Sequence, residues 1–238
     1  MANFWKIVND VIGKSDIILE VLDARFPQES RNPEIEQKVR EGKQLIYVIN
    51  KCELMPKEHL EAWKRKLKPS VFVSCNKHYG FTKLRDKILR FTEEKKVVVG
   101  VVGYPNTGKS SVINSLKGKK AAQTSSVSGY TKGIQLIRVD NRIMILDTPG
   151  VIPFQEKDEI KHALFGTKSM SQVKDPEGVA HVLLENQGEI LKERFGITGD
   201  DAEELLLSLT RHWNMLKKGS EPDTERAARK LIDLWQKG

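Results

Sequence analysis

An α/β fold with a mostly parallel six-stranded sheet, followed by a small C-terminal α-helical domain, is the architecture that this 238-residue sequence predicts. Three observations predict it. Short β-branched runs alternate with amphipathic stretches from about residue 17 to 165, the pattern of βαβ units whose sheet is covered on both faces. Two of the runs, Ile134 to Val139 and Ile143 to Leu146, are joined by a tight turn at Asp140-Asn141, so one antiparallel hairpin interrupts the parallel order. After residue 165 the strand signal vanishes and helical spacing takes over. The expected division is 1–165 for the sheet domain and 166–238 for the helical one.

In chain order, the first twenty residues carry Lys6, Asp10, Lys14 and Asp16, which break any apolar run. The longest apolar run elsewhere, Val97 to Gly103, is far too short to span a bilayer, and no membrane association is expected. A strand over Ile17 to Leu22 leads through Asp23-Ala24-Arg25-Phe26-Pro27 and Ser30-Arg31-Asn32-Pro33 to a helix at about 33 to 41, opened by Pro33 at a helix-start position. Further strands are expected at Gln44 to Ile49, Val71 to Ser74 and Val97 to Val102. Further helices fall at about 57 to 67, 81 to 95 and 109 to 117. Four amphipathic stretches follow the hairpin, at about 175 to 186, 188 to 195, 200 to 214 and 223 to 236. In the last, Ala228, Leu231, Ile232 and Trp235 recur at helical spacing and read as a core stripe.

Chemistry concentrates where strands end. Gly103-Tyr104-Pro105-Asn106-Thr107-Gly108-Lys109-Ser110 is the GxxxxGK[ST] phosphate loop, directly after one strand and before a helix. Its glycines allow backbone N–H groups to cradle α and β phosphates at a helix N-terminus, with Thr107, Gly108 and Ser111 around them. Lys109 can reach the β and γ phosphates, and Ser110 can bind Mg²⁺. Asp147-Thr148-Pro149-Gly150 closes the strand Ile143 to Leu146; Asp147 can hold Mg²⁺ through water, and the Gly150 amide can meet a γ-phosphate. Between these motifs lies the Ser-rich stretch Thr124 to Gly133, in which Thr131 is either a Mg²⁺-ligating switch threonine or ordinary loop chemistry.

Asn50-Lys51-Cys52-Glu53, at the end of the second strand, looks like the guanine-specificity NKxD motif, with Glu53 where aspartate is usual. An amide reads the guanine edge, a carboxylate accepts from its ring N–H and exocyclic amine, and the lysine stem lies along the base. Ser74-Cys75-Asn76 resembles the short SAK loop under guanine. Most GTPases present phosphate loop, switch threonine, DxxG, NKxD and SAK in that order. Here the last two come first and cyclic order is preserved, as a circular permutation would leave it.

Composition sets the remaining bounds. Forty Lys and Arg against 32 Asp and Glu give a formal charge of +8, which fits either a solvated basic surface or approach to a polyanion such as RNA. Two cysteines, Cys52 and Cys75, offer no disulfide framework and suit a reduced, cytoplasmic compartment.

The permuted motifs, the DARxP and SRNP stretches at Asp23 to Pro27 and Ser30 to Pro33, and the run Leu191-Lys192-Glu193-Arg194-Phe195-Gly196 resemble the circularly permuted ribosome-assembly GTPases of the YlqF/RbgA family. The resemblance covers nearly the whole chain. It implies a phosphate-loop GTPase fold and GTP hydrolysis to GDP with Mg²⁺, slow alone and stimulated by the large ribosomal subunit. It also implies a helical domain that contacts ribosomal RNA, in a protein expected to be monomeric. Val151 stands where Ras-like enzymes carry the water-orienting glutamine, and no histidine precedes His59, so the group that orients water is not assigned. Asn106 resembles the asparagine that ligates K⁺ in potassium-activated GTPases, or else shapes the loop. Basic residues offered to RNA include Lys117, Lys119, Lys120, Arg211, Lys217, Lys218, Arg226, Arg229 and Lys230. Three other readings stay open: an RNA-binding assembly module with a weakly active or non-guanine-selective nucleotide site, an enzyme that uses ATP, and a permuted GTPase serving the small subunit or another RNA.

Overall fold

The computed structural model describes residues 2–40, 42–118, 135–148, 158–167 and 172–237. The chain divides into two compact units, Met1–Glu156 and Lys157–Gly238. The first is a six-stranded sheet with strands β1 (Ile17–Asp23), β2 (Gln44–Asn50), β3 (Ser70–Phe72), β4 (Val97–Val102), β5 (Gln135–Arg138) and β6 (Ile143–Asp147). Their order in space is β3-β2-β1-β4-β6-β5; all neighbours run parallel except β5 and β6. The hairpin follows from Asp140, whose Oδ1 accepts from the Arg142 and Ile143 amides at 2.6 and 3.0 Å and so closes the turn.

Alternation along β1 sorts the two faces. Ile17, Leu19 and Val21 point into one core, together with Val48, Val99, Val101 and Ile145, and with Leu84 and Ile88 of α4 (Phe81–Arg90) and Val112 and Ile113 of α5 (Lys109–Lys117). Ile18 points to the other face and packs with Ile35 and Val39 of α2 (Pro33–Arg40) and with Val8 and Ile12 of α1 (Ala2–Lys14). Helix α1 is an element to which the sequence reading assigns no structure. Its charges interrupt the apolar run, but Val8, Val11 and Ile12 fall on one helical face and are buried. Helix α3 (Lys57–Lys66) and the 3₁₀ turn Cys52–Leu54 complete the β2-to-β3 connection. Helix α4 ends at Arg90, short of the expected 95, because Phe91 leaves helical geometry.

The second unit contains α6 (Glu159–Leu164), α7 (Pro176–Phe195), α8 (Ala202–His212) and α9 (Thr224–Lys237). Asp158, Asp175 and Asp201 cap α6, α7 and α8 by accepting from Lys161, Gly178 and Glu204 amides. The two stretches expected at 175 to 186 and 188 to 195 are two helical segments within α7 that meet at a kink at the non-helical Gln187 (φ −130°, ψ 15°), just before Gly188. Leu183, Leu184, Leu205, Leu209, Ala228, Leu231, Ile232 and Trp235 form the unit's buried interior, so the expected stripe on α9 is core. Gln236 Nε2 donates to the Ala163 carbonyl at 2.6 Å, tying α9 to α6. Among the described residues, no helix is long and apolar enough to cross a membrane.

Candidate nucleotide site

Parallel neighbours deliver their carboxyl ends to one edge of the sheet, and every described motif residue lies there. Asp23 ends β1, Asn50 ends β2, the phosphate loop follows β4, and Asp147 ends β6. Ligands of open α/β sheets bind at this edge. Register makes the grouping inevitable, since Asp23 pairs with Asn50 across β1 and β2, and Val101 with Asp147 across β4 and β6.

The phosphate loop turns on three positive-φ residues, Gly103 (147°), Asn106 (62°) and Gly108 (93°). Only glycine fits at 108, where an added Cβ would lie 2.3 Å from Asn50 Nδ2. Asn50 Nδ2 in turn donates to the Thr107 carbonyl at 2.9 Å, across 57 residues of sequence. The base motif and the phosphate motif are therefore bonded to each other. Thr107 Oγ1 and Lys109 Nζ each donate to the Tyr104 carbonyl at 2.9 Å, which folds the lysine back over its own loop. Burial lowers the Lys109 pKa to about 8, against the opposing pull of Asp147. Helix α5 begins at Lys109, so its first amides point out of the loop at the place a phosphate would occupy. Ser110 and Ser111 are exposed at that first turn, as is Asn106 in the loop.

Three buried polar atoms at this edge have no partner in the protein and are open to ligand atoms. Asn50 Oδ1, Glu53 Oε2 and Asp147 Oδ1 are such atoms. Burial raises the Asp147 pKa, and Lys109 opposes that rise. A divalent cation with its waters suits this dry carboxylate oxygen and the Ser110 hydroxyl, and a purine edge suits Asn50 and Glu53; the residues present fit both groups. Of the base loop's support, Ser74 is buried with Oγ accepting from the Lys77 amide at 2.9 Å, Cys75 is half-buried, and Asn76 is exposed. Thr131, Gly150 and Val151 lie outside the described residues.

Sequence reasoning missed what holds Lys51. Asp23, fully buried, receives Arg25 through Nε at 2.9 Å and Nη2 at 2.7 Å, and Lys51 Nζ lies 2.8 Å from Asp23 Oδ2. Burial alone would raise the Asp23 pKa; the Arg25 and Lys51 cations outweigh it and hold the carboxyl at about 2. Lys51 itself sits in the left-handed region (φ 60°), so the anchor fixes a side chain on a constrained backbone. The Ser30 to Pro33 stretch shores up this corner. Ser30 Oγ accepts from the Asp23 amide and donates to the Phe26 carbonyl, and Asn32 Oδ1 accepts from the Ile35 amide to cap α2. The Asn32 amide donates to the buried Glu20, whose pKa burial and the nearby Glu36 raise to about 8.

Comparison with known proteins agrees with this geometry. Residues 98–209 match the family model described as 50S ribosome-binding GTPase. A GTP-binding protein of Methanocaldococcus jannaschii is 42% identical over 98% of the chain, which covers 65% of that relative. Nucleolar GTP-binding protein 2 of Saccharomyces cerevisiae is 35% identical over 98% of the chain, which covers 51% of it. The chain thus spans about half to two thirds of these relatives' length. GNP-bound YlqF from T. maritima superposes with a TM-score of 0.68 at 26% identity, covering 99% of this chain and 94% of YlqF. Its GDP-bound form gives 0.69 at the same identity, covering 97% and 93%.

Proposed function

We propose that this chain, which is similar to YlqF and to nucleolar GTP-binding protein 2, is a circularly permuted, Mg²⁺-dependent GTPase switch that assists assembly of the large ribosomal subunit. The observation that carries the reading is the Asn50-to-Thr107 hydrogen bond, which makes one site of two motifs that chain order separates. Asn50 and Glu53 read the guanine edge, and Lys51, held by Asp23, lies along the base. Lys109 gives up its bond to the Tyr104 carbonyl and neutralises the β and γ phosphates, whose charge restores its proton above pH 8. Ser110 and Thr131, with Asp147 through water, would hold Mg²⁺, which when bound would offset charge on the transferring phosphate, and the Gly150 amide would meet the γ-phosphate.

Valine at 151 cannot orient water, so turnover is slow until a group outside the chain completes the site. A K⁺ ion on Asn106 and the ribosomal particle are the two suppliers we infer; partner-supplied groups in related systems are worth about 10³- to 10⁵-fold in rate. The sheet unit, Met1–Glu156, carries the nucleotide, and the helical unit, which begins at Lys157 rather than at the expected 166, contacts ribosomal RNA. Free thiols at Cys52 and Cys75 support a reduced, cytoplasmic setting, and we take the working form as a monomer.

The test is GTP turnover by the purified protein in K⁺ and in Na⁺, alone and with separated ribosomal subunits. The expected result is a slow basal rate raised at least tenfold by the large subunit and not by the small one, with K⁺ exceeding Na⁺. Equal rates under all of these conditions would refute the switch.

A further inference from the structure

The geometry points to a second binding site on the sheet unit: a groove for single-stranded RNA between α3 and α4 along the outer edge of β3, adjoining the base loop through Tyr79. The cavity measures about 610 Å³ and is open along one side. Four cations line it, Lys64 from α3 and Lys83, Lys87 and Arg90 from α4, against a single acid, Asp86. Lys83, Lys87 and Arg90 recur at i, i+4 and i+7, so they form one stripe down the groove wall. Among the described residues none of these three forms an ion pair. Lys64 has only an exposed contact to Glu61 at 3.5 Å. Their charge is therefore uncompensated within the unit, and a polyanion supplies what the protein does not.

Tyr79 distinguishes a nucleic acid from other polyanions. It lines the same groove and is 45% exposed, one of two large hydrophobic side chains so exposed among the described residues. Its hydroxyl is held by the Cys52 thiol at 3.1 Å, and its backbone pairs with Ser74 in both directions at 3.1 and 3.2 Å. The ring is thus a fixed platform rather than a swinging one. A pinned aromatic face beside a line of cations is the arrangement that binds single strands, bases stacking on the ring while phosphates follow the charges. An acidic peptide would use the cations and the free β3 edge but would gain nothing specific from the ring.

This site goes beyond the GTPase reading and does not depend on it, because RNA binding is measured without nucleotide. Fluorescently labelled oligouridylate is titrated into the full chain, in wild type and in a Lys83→Glu/Lys87→Glu variant, at several salt concentrations. The variant is expected to bind at least tenfold more weakly, with a salt slope shallower by about 1.4, roughly 0.7 for each phosphate that no longer meets a cation. Guanine-nucleotide affinity reports folding and stays at the wild-type value. Tyr79→Phe keeps the ring and retains RNA affinity, whereas Tyr79→Leu loses roughly tenfold. An oligoglutamate competitor that displaces RNA at equal charge, or a Tyr79→Leu variant that binds as well as wild type, would overturn the RNA assignment in favour of an acidic protein. Unchanged affinity and slope in the double variant would overturn the site altogether, and a matching loss in an Arg226→Glu/Lys230→Glu variant would place the strand on the helical unit.

Discussion

Glu20 and Asp23 are three residues apart on one strand and both are fully buried, yet burial leaves their carboxyls at opposite ends of the scale. Asp23 faces two cations and stays near 2; Glu20 faces Glu36, with Arg31 already committed to Glu36 at 2.6 and 2.7 Å, and rises to about 8. Burial raises both carboxyls at equal depth, and only at Asp23 do the charge partners reverse the sign. The Glu20 shift has a measurable consequence. Above its ordinary value of 4.5 the unfolded chain releases this proton while the folded chain keeps it until about 8. Stability from this group is therefore complete below pH 4.5 and declines as pH rises toward 8, by up to about 1.4 kcal/mol per pH unit. Glu20→Gln still offers an oxygen to the Asn32 amide and carries no titrating proton. Urea midpoints measured from pH 5 to 8 should fall less with pH in the variant than in the wild type; parallel curves would refute the assignment.

At the scale of elements, the motifs were legible because their chemistry tolerates few sequences. A loop that turns amides toward phosphate needs glycine at fixed places, and the added Cβ at Gly108, 2.3 Å from Asn50 Nδ2, shows why. Gly108→Ala, at φ 93°, should carry strain of about 1 to 3 kcal/mol and weaken nucleotide binding about ten- to hundredfold. Gly13→Ala, with nothing within 4 Å in the last turn of α1, serves as control and should leave the thermal midpoint unchanged or slightly raised. Isothermal titration with GDP and thermal melts compare the two, and equal affinities would contradict the tight fit. Other elements were not legible, for physical reasons. Helix α1 hides because its apolar positions are spaced for one face while charges fill the gaps between them. Helix α6 has six residues, too few for a period to show. The Asp23 anchor of Lys51 depends on the β1–β2 register, which no local pattern encodes.

Over the whole molecule, the permutation changes the order in which the chain visits the site without changing the site. The parallel sheet permits this, because a strand's carboxyl end reaches the same edge whichever strand came first. It also leaves the covalent path running from Asp147 through 149–157 into the helical unit, so the stretch after this strand end is the one that joins the two units. The basic surface of the helical unit is partly spoken for: Arg229 pairs with Glu225 at 2.9 Å, and Lys230 lies over the Trp213 ring at 4.4 Å. Uncompensated cations are found beside β3 on the sheet unit as well.

We propose that Asn50 and Glu53 form a guanine site together with the phosphate loop. A carboxylate at 53 accepts from guanine's ring N–H and amine; a carboxamide there can donate to the C2 oxygen of xanthine instead. Competition of GTP, ATP and xanthosine triphosphate for a fluorescent guanine nucleotide, on wild type and Glu53→Gln, measures this directly. The account predicts that GTP displaces the probe from wild type at least a hundredfold better than ATP, on the order of 3 kcal/mol, and that Glu53→Gln shifts preference toward xanthosine triphosphate. ATP competing as well as GTP, or a preference that Glu53→Gln leaves unmoved, would contradict it.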